Sequence, residues 1–183
     1  PRPAPPPAPT AVVIGAGYIG LETAASLRQA GLEVRVLEAA PRVLGRSVDE
    51  PVSAFFEALH RSHGVEIHTG CQVAGLLCKD RVEAVQCVDG TRYPADLVVI
   101  GIGVVANTEL AQAAGLAVDD GIVVDSRCRT PDPDIVAAGD CTRFPSPHLQ
   151  RQVRLECLAN ASDQARVAAA TLWYIMVILT NAS

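Results

Sequence analysis

Aromatic residues are scarce in this sequence, and its cysteines do not form the patterns that mark disulfide or metal sites. Phe, Trp and Tyr make up only 4% of the 183 residues. No two cysteines have CxxC spacing, and the chain is neither small nor loop-rich, as disulfide-stapled domains are. We therefore expect free thiols in a reducing, cytoplasmic compartment and no metal site. The six cysteines are Cys71, Cys78, Cys87, Cys128, Cys141 and Cys157.

Excess positive charge and membrane-length apolar runs are also missing. The formal net charge is −5 and the sequence has no basic run, which argues against nucleic acid as a partner. The terminal apolar run at 167–179 is shorter than the roughly 20 residues that a membrane-spanning helix needs, so we expect no transmembrane span. This run is either the end of a core helix that continues from residue 160 or an adhesive tail.

The sequence has no secretory signal and no initiating methionine, and Met176 is its only methionine. We therefore expect a fragment or a processed product. Residues 1–10 are interpreted as a proline-rich linker, because this composition favours extended polyproline II and cannot build a core. Pro3 and Pro6 form a PxxP pattern, for which a spacer is favoured over a docking motif for SH3 domains.

A glycine-rich turn between a strand and a helix is the most informative stretch of the chain. Apolar residues 12–14 predict a buried strand, and Gly15, Gly17 and Gly20 follow as a GxGxxG motif. The first glycine permits a tight turn, the second lets a pyrophosphate approach the backbone, and the third lets the helix pack close to the strand. An apolar helical face then extends to Gly31. This context predicts a dinucleotide site in which phosphates meet a helix N-terminus.

Charged side chains after the second strand are candidates for contacts with the adenosine half of a dinucleotide. Residues 32–37 alternate as a strand that ends at Glu38. A carboxylate there accepts hydrogen bonds from ribose hydroxyls and repels a 2′-phosphate, so NAD(H) is favoured over NADP(H). The alternative is a solvated glutamate at a strand end. Arg42 and Arg46 follow closely enough to reach the cofactor, and surface charge explains them equally well.

A second glycine-containing segment follows a later strand. Residues 96–100 predict a strand buried on both faces, and the ligand crevice of an open α/β sheet lies at the carboxyl ends of its strands. The residues that follow this strand are Gly101, Ile102 and Gly103. Their backbone is predicted to approach the nicotinamide half of the dinucleotide, with a simple turn as the alternative.

The remaining elements are predicted from capping residues, turns and short apolar runs. Asp49 caps a helix that has Pro51 near its start. Short β-like runs predict a small antiparallel meander, and Asp89-Gly90 predicts a type I′ hairpin turn within it. The other expected elements are strands at 65–68, 73–77, 82–88, 122–124 and 135–138, a short helix at 107–114 and a helical pattern from residue 154 onward.

Several motifs together resemble a known family. The chain resembles the FAD-dependent pyridine nucleotide oxidoreductases, and most closely the ferredoxin reductases of the putidaredoxin reductase and rhodocoxin reductase type. The resemblance covers about residues 11–172. The stretches that carry it are GAGYIGLE at 15–22, the acid at position 38, PVSAFF at 51–56, DGTRYPADLV at 89–98, IGIG at 100–103, IVAAGD at 135–140 and RLECLANASDQ at 154–164.

The resemblance implies an α/β fold with a division of labour along the chain. Residues 11–106 are expected to form a Rossmann-like, three-layer NAD-binding domain that includes the antiparallel β-meander. Residues 107–172 are expected to be a partial segment of an FAD-binding domain. Residues 173–183 are left as an apolar tail of unknown role.

The resemblance also implies roles for individual residues. Asp140, after Gly139, is expected to hold the ribityl and pyrophosphate region of FAD. Tyr18 and Ile19 are expected at the cofactor, with Tyr18 beside the nicotinamide, and Glu22 is expected to orient the nicotinamide rather than to transfer a proton. The implied reaction passes a hydride from NADH to FAD, and then electrons to an iron–sulfur, ferredoxin-type acceptor.

Departures from the family pattern leave alternatives open. Relatives begin with another GxGxxG motif for the FAD adenosine, which this sequence lacks, and an interface domain is also missing, so these parts of a parent protein are expected partners. Gln152 stands where such reductases carry a tryptophan beside the flavin. The alternatives are an NAD-binding module without catalysis, a tethered or interaction fragment, and a protein similar to apoptosis-inducing factor or to a nitrite reductase subunit.

Overall fold

A four-stranded parallel sheet forms the centre of the first part of the chain. The computed structural model describes residues 8–181, and side-chain environments through residue 173. The strand order is β3-β2-β1-β7, with every neighbouring pair parallel. The four strands are β1 (Thr10–Ile14), β2 (Glu33–Glu38), β3 (Val65–Thr69) and β7 (Leu97–Ile100).

Two helices connect the first three strands. Helix α1 (Tyr18–Gln29) begins directly after the glycine-rich turn and has no side-chain cap, whereas α2 (Glu50–Ser62) has one. The Asp49 carboxylate accepts a hydrogen bond from the backbone amide of Val52 at 3.4 Å. The predicted capping by Asp49 is therefore confirmed.

Alternate residues of the central strands pack into two separate cores. Val13 and Val36 lie in one core with Leu21 and Ala24 of α1, on the helical side of the sheet. Val12 belongs to the other core, whose members also include Leu37, Val85, Cys87 and Ala95. Because successive strand side chains point to opposite faces, both faces of β1 are covered. The result is the three-layer α/β arrangement that was expected.

The second core is closed by a three-stranded antiparallel meander. Its strands are β4 (Val73–Cys78), β5 (Val82–Cys87) and β6 (Arg92–Pro94), in the order β4-β5-β6. The hairpin predicted at Asp89-Gly90 is present, but the prediction that its turn is of type I′ is wrong. Gly90 has φ +88° while Asp89 is not among the residues with positive φ, and type I′ requires positive φ at both central residues.

Strand β7 differs from its prediction as a strand buried on both faces. Leu97 is 40% exposed and Ile100 is 59% exposed. The reason is its place in the sheet, since among the described strands β7 pairs only with β1 and forms an edge. An apolar run is typical of a buried parallel strand, and it does not reveal which strand will lie at the edge.

The chain divides into two compact units, the first extending through Gly103 and the second beginning at Val104. The second unit contains a small sheet of order β10-β9-β8, in which β8 and β9 are parallel and β9 and β10 antiparallel. Its elements are α3 (Glu109–Ala113), β8 (Ile122–Val123), β9 (Thr142–Ser146), β10 (Arg151–Val153) and α4 (Leu158–Asn181).

The strand predicted at 135–138 is not formed. This segment makes only an isolated bridge, between Val136 and Arg129. Thr130 instead organises a tight bend, because its hydroxyl lies 2.9 Å from the carbonyl oxygen of Ile135 and its amide donates to the same oxygen at 3.1 Å. A strand requires a continuous ladder with a neighbour, and the described residues provide no such ladder here.

The two ends of the sequence have different outcomes. The apolar run at 167–179 continues the helix that begins near residue 158, since α4 spans Leu158–Asn181. Among the described residues, no helix is both long and apolar enough to cross a membrane. The proline-rich linker predicted for residues 1–10 lies mostly outside the described residues.

The thiols lie in contrasting environments. Burial, followed by the neighbouring Cys71 thiol, raises the pKa of Cys87 to about 12. Burial, followed by Asp125, also raises the pKa of Cys128. Cys78 and Cys157 are exposed. Because the thiolate is the reactive form, the buried thiols of Cys87 and Cys128 should be almost inert in the folded protein.

We predict that iodoacetamide at about pH 8 labels Cys78 and Cys157 in the native protein and leaves Cys87 and Cys128 unlabelled. Peptide mass spectrometry identifies the modified positions. The control is the same reaction in denaturant, where all six cysteines should be alkylated. Native labelling of Cys87 at the rate of Cys78 would show that the second core of the first unit opens readily.

Candidate functional site

The turn after β1 brings the first glycine of the motif against a second glycine segment. Gly15 has φ +99°, and its amide donates to the carbonyl oxygen of Leu37 at 2.8 Å. A Cβ atom at Gly15 would lie 2.5 Å from the carbonyl oxygen of Gly101. Both the left-handed backbone conformation and this close approach therefore require glycine.

The third glycine of the motif allows α1 to pack against the turn. A Cβ atom at Gly20 would lie 2.0 Å from the carbonyl oxygen of Gly15 and 3.6 Å from Cγ1 of Val13. Gly101 lies on the same side, since its own Cβ would be 3.5 Å from Cα of Gly20. The helix, the turn and the segment after β7 thus meet backbone to backbone.

Gly17, the middle glycine, lies beside open space. A Cβ atom there would meet nothing within 4 Å. Gly17 is the N-cap of α1 without a side-chain cap, and its carbonyl oxygen accepts a bond from the Leu21 amide at 3.0 Å. Since the first amides of a helix have no intrahelical acceptor, and the helix dipole is positive at this end, this position suits an anionic group such as a phosphate.

The carboxylate of Glu38 holds the backbone around this turn. Its Oε2 atom accepts a hydrogen bond from the amide of Ala16 at 2.6 Å, and Oε1 accepts one from the amide of Ala40 at 2.8 Å. Glu38 is half-buried. The alternative of a purely solvated glutamate therefore does not hold, while the ribose role stays a prediction. The two amide partners are contacts that the sequence pattern did not reveal.

The loop after β2 is built by its own hydrogen bonds. The amide of Leu44 donates to the carbonyl oxygen of Ala16 at 2.9 Å, which ties this loop to the glycine-rich turn. The Arg42 guanidinium donates to the carbonyl oxygens of Val48 at 2.8 Å and Gly45 at 3.0 Å. Arg42 therefore supports the loop, whereas Arg46 is exposed and remains a candidate for cofactor contact.

The segment after β7 is anchored at one end and exposed at the other. The Gly101 amide donates to the carbonyl oxygen of Ile14 at 2.7 Å, so Gly101 sits at the carboxyl end of β1. Ile102 is 67% exposed, and Gly103 has φ +110°. This segment therefore lies beside the glycine-rich turn, with the side chain of Ile102 exposed.

The first turn of α1 presents uncovered side chains. Tyr18 is 54% exposed and Ile19 is 64% exposed, and Glu22 is also exposed. Tyr18 and Glu22 are four residues apart and therefore lie on the same face of the helix. Aromatic and apolar groups next to a carboxylate and free amides are suited to a ring-bearing ligand with anionic groups.

The other predicted site residues lie in the second unit. Gly139 has φ +91°, and the exposed Asp140 follows it. Gln164 accepts a hydrogen bond at Oε1 from the Gly139 amide at 2.7 Å. The sequence did not predict this contact. Gln164 lies at the end of the RLECLANASDQ stretch, but no pattern in that stretch specifies a hydrogen-bond partner.

The geometry fits part of each expected cofactor. In the first unit, the open space at Gly17 and the uncapped helix can accept a pyrophosphate, and Glu38 lies beside the same turn. In the second unit, the exposed carboxylate of Asp140 follows the turn at Gly139 and can accept hydrogen bonds from hydroxyl groups of a ligand. The Nε2 atom of Gln164 is buried without a hydrogen-bond partner among the described residues.

Comparison with known proteins gives consistent matches over most of the chain. The family model described as pyridine nucleotide-disulphide oxidoreductase matches residues 3–165. The chain is 54% identical over 164 residues to putidaredoxin reductase CamA of Pseudomonas putida, covering 88% of this chain and 39% of that protein. It is 48% identical over 162 residues to rhodocoxin reductase of Rhodococcus erythropolis, covering 88% and 38% respectively.

A solved structure agrees with these sequence matches. The crystal structure of a covalent putidaredoxin reductase–putidaredoxin complex matches with a TM-score of 0.87 and 53% identity, covering 90% of this chain and 40% of that chain. The expected resemblance is thereby confirmed. The chain spans about two fifths of the length of the curated relatives it matches.

Proposed function

Because the chain belongs to the pyridine nucleotide-disulphide oxidoreductase family, we propose that it is the NADH-binding part, and a portion of the FAD-binding part, of a ferredoxin reductase-like flavoprotein. Residues 11–106 form the NAD-binding domain in this proposal, and residues 107–172 contribute to the FAD-binding domain. The observation that carries it is the glycine-rich turn, where Gly17 faces open space at an uncapped helix end.

In the proposed NADH complex, each part of the first site has one task. The pyrophosphate lies at Gly17, at the N-terminus of α1, while Gly15 and Gly20 shape the turn that places this helix end. The Glu38 carboxylate accepts hydrogen bonds from the adenosine ribose and disfavours a 2′-phosphate. Arg46, exposed in the adjacent loop, supplies positive charge towards the adenosine or pyrophosphate.

The nicotinamide half lies at the other end of the same edge. The backbone of Gly101, Ile102 and Gly103 forms one wall, and the exposed faces of Tyr18 and Ile19 form another. Glu22 orients the nicotinamide amide as a hydrogen-bond partner. These residues position the ring, and none is required to donate or accept a proton.

The proposed flavin contact uses the turn at Gly139 and Asp140. The positive φ of Gly139 places the following carboxylate at a bend, and Asp140 accepts hydrogen bonds from ribityl hydroxyls of FAD. The bound cofactors supply the chemistry itself, which is hydride transfer from NADH to FAD. The contribution of this chain is to hold the two cofactors and exclude wrong orientations.

The proposed electron acceptor is an iron–sulfur protein of the ferredoxin type. Two matched relatives are named putidaredoxin reductase and rhodocoxin reductase, and one matched structure is a reductase–putidaredoxin complex. We infer the same class of acceptor for the parent of this chain. The remaining FAD-binding and interface regions of such a parent are its other proposed partners.

A second candidate function is an NAD-binding module that does not catalyse. It is favoured by one observation: the open space at Gly17 and the uncapped end of α1 lie within the first unit. In this candidate the first unit binds NADH while FAD is held weakly. Flavin binding therefore separates the two candidates.

The test is an absorbance scan of the purified chain, followed by separate titrations with NADH, NADPH and FAD. Saturable NADH binding that is tighter than NADPH binding supports the NAD site, and stoichiometric FAD binding supports the reductase function. Binding of NADH without FAD selects the second candidate. If the folded chain binds neither NADH nor FAD, both candidates are refuted.

A further inference from the structure

A buried glutamine in the second unit holds the turn that carries Asp140. Gln164 is only 7% exposed. Its Oε1 atom accepts a hydrogen bond from the Gly139 amide at 2.7 Å and lies 2.7 Å from Oγ1 of Thr142, which is completely buried. One side-chain oxygen therefore connects both ends of the bend from Gly139 to Thr142.

The orientation of the Gln164 amide is determined by its neighbours. The Gly139 amide can only donate, so rotating the side chain by half a turn would place two donors against each other. Thr142 adds no second constraint, because its hydroxyl also lies 2.8 Å from the Gly139 carbonyl oxygen and can donate to only one acceptor. The oxygen of Gln164 therefore faces the turn, and Nε2 faces away from it.

Nε2 is left without a partner in a buried position. Among the described residues this atom makes no hydrogen bond, and protein atoms cover it. Buried side-chain amides normally have partners for both ends, because an unpaired donor loses its bonds to water without replacement. Because Nε2 is covered even without a bound cofactor, a ligand does not reach it, and the role of Gln164 at the turn rests on the contacts of Oε1.

The packing of α4 fixes the position of Gln164 relative to the 127–128 segment. The Gln164 carbonyl oxygen accepts a hydrogen bond from the buried Cys128 thiol at 3.5 Å. Two turns later, the Thr171 hydroxyl donates to the carbonyl oxygen of Arg127 at 2.8 Å, and Ala168 between them is buried. The helix is thus attached to the 127–128 segment at Gln164 itself and again two turns later.

We propose that Gln164 is a positioning residue of the flavin site, whose Oε1 holds the Gly139–Asp140 turn in the conformation that binds FAD. The inference rests on the proposed function, since it assumes that this turn binds flavin. It assigns to Gln164 a role that neither the motif residues nor the named relatives specify.

Two substitutions separate the two ends of the side chain. Gln164→Glu keeps an acceptor for the Gly139 amide and replaces the donor with an oxygen, whereas Gln164→Met removes both functions at similar length. Gln29→Glu and Gln29→Met are matched controls, because Gln29 is an exposed glutamine at the end of α1. Every variant is compared with the unchanged chain.

The first measurement is hydrogen exchange of the 135–142 segment without any cofactor, followed by mass spectrometry. We expect Gln164→Met to exchange at least about tenfold faster than the unchanged chain, since the Gly139 amide loses its acceptor. Gln164→Glu should exchange as the unchanged chain does. Unchanged exchange in Gln164→Met would overturn the holding role.

The second measurement is FAD affinity from the change in flavin fluorescence. Gln164→Met should bind FAD about tenfold or more weakly, because the turn that carries Asp140 loses the acceptor that holds it. Gln164→Glu, which keeps an acceptor, should bind FAD more tightly than Gln164→Met, and the Gln29 variants should be unaffected. Normal FAD affinity in Gln164→Met would overturn the positioning role. A chain that binds NADH but no FAD refutes the flavin function itself, while the exchange result still decides the holding role.

Discussion

Alanine at Gly20 is expected to destabilise the first unit by about 3 kcal/mol and to abolish NADH binding. The new Cβ atom would lie 2.0 Å from the carbonyl oxygen and 3.0 Å from the carbonyl carbon of Gly15. Both are backbone atoms, so no change of side-chain rotamer relieves the clash. Either α1 or the turn must move, and the phosphate position depends on both.

Gly17→Ala is the matched control for this prediction. Its Cβ atom would enter open space, so the substitution causes no clash. Alanine is a poorer N-cap residue than glycine, and we expect this difference to lower the free energy of unfolding by less than about 1 kcal/mol. NADH should nevertheless bind about tenfold more weakly, because the methyl group occupies the path of the pyrophosphate. Urea unfolding and NADH titration of both variants provide the comparison.

The pattern across these two variants is more informative than either result alone. We expect Gly20→Ala to lose stability and binding together, and Gly17→Ala to lose binding with little loss of stability. Normal stability and normal NADH affinity in Gly20→Ala would contradict the close packing of α1 on the turn. Normal NADH affinity in Gly17→Ala would move the dinucleotide away from the glycine-rich turn.

Removal of the Glu38 carboxylate has the second largest expected effect. Glu38→Ala deletes the acceptors of the Ala16 and Ala40 amides, and hydrogen bonds to a charged group contribute about 1.5–3 kcal/mol each. Because Glu38 is only half-buried, water replaces part of this bonding, so we expect a loss of about 2 kcal/mol in the free energy of unfolding rather than the full sum. NADH binding should be weaker by tenfold or more. The preference for NADH over NADPH should also narrow, since a carboxylate repels the 2′-phosphate.

Stability and cofactor preference distinguish the two tasks of Glu38. Glu33→Ala is the control, because Glu33 is an exposed glutamate at the start of the same strand and should change neither quantity. A Glu38→Ala protein that is destabilised but prefers NADH as strongly as before would show that Glu38 supports the backbone and does not contact the ribose. Denaturant unfolding and parallel titrations with NADH and NADPH give both quantities.

The local features of this protein are readable in its residues. The GxGxxG spacing, the alternation of residues 32–37 and the acid at position 38 describe one strand–turn–helix–strand unit, and β1, α1 and β2 form it. These features depend on neighbours a few residues apart. Glycine at a tight turn and a periodic apolar face act over that range, so a pattern suffices to predict them.

Other features depend on partners that a pattern does not specify. Residues 96–100 and 135–138 both have the composition of a buried parallel strand, yet β7 lies at an edge and the second segment forms only a bridge. Composition reports that a segment favours strand geometry. Which ladder it joins, and on how many sides, is decided by the packing of the other strands around it.

The contacts that support the candidate sites are visible only in the folded structure. The carboxylate of Glu38 meets an amide 22 residues earlier, and the amide oxygen of Gln164 meets an amide 25 residues earlier. No periodicity connects such positions, because the distance between them is set by how β2 pairs with β1 and by where α4 packs. The residues therefore predict a dinucleotide-binding turn and its acid. The tertiary packing shows what that acid holds in place and which buried amide holds the turn at Gly139.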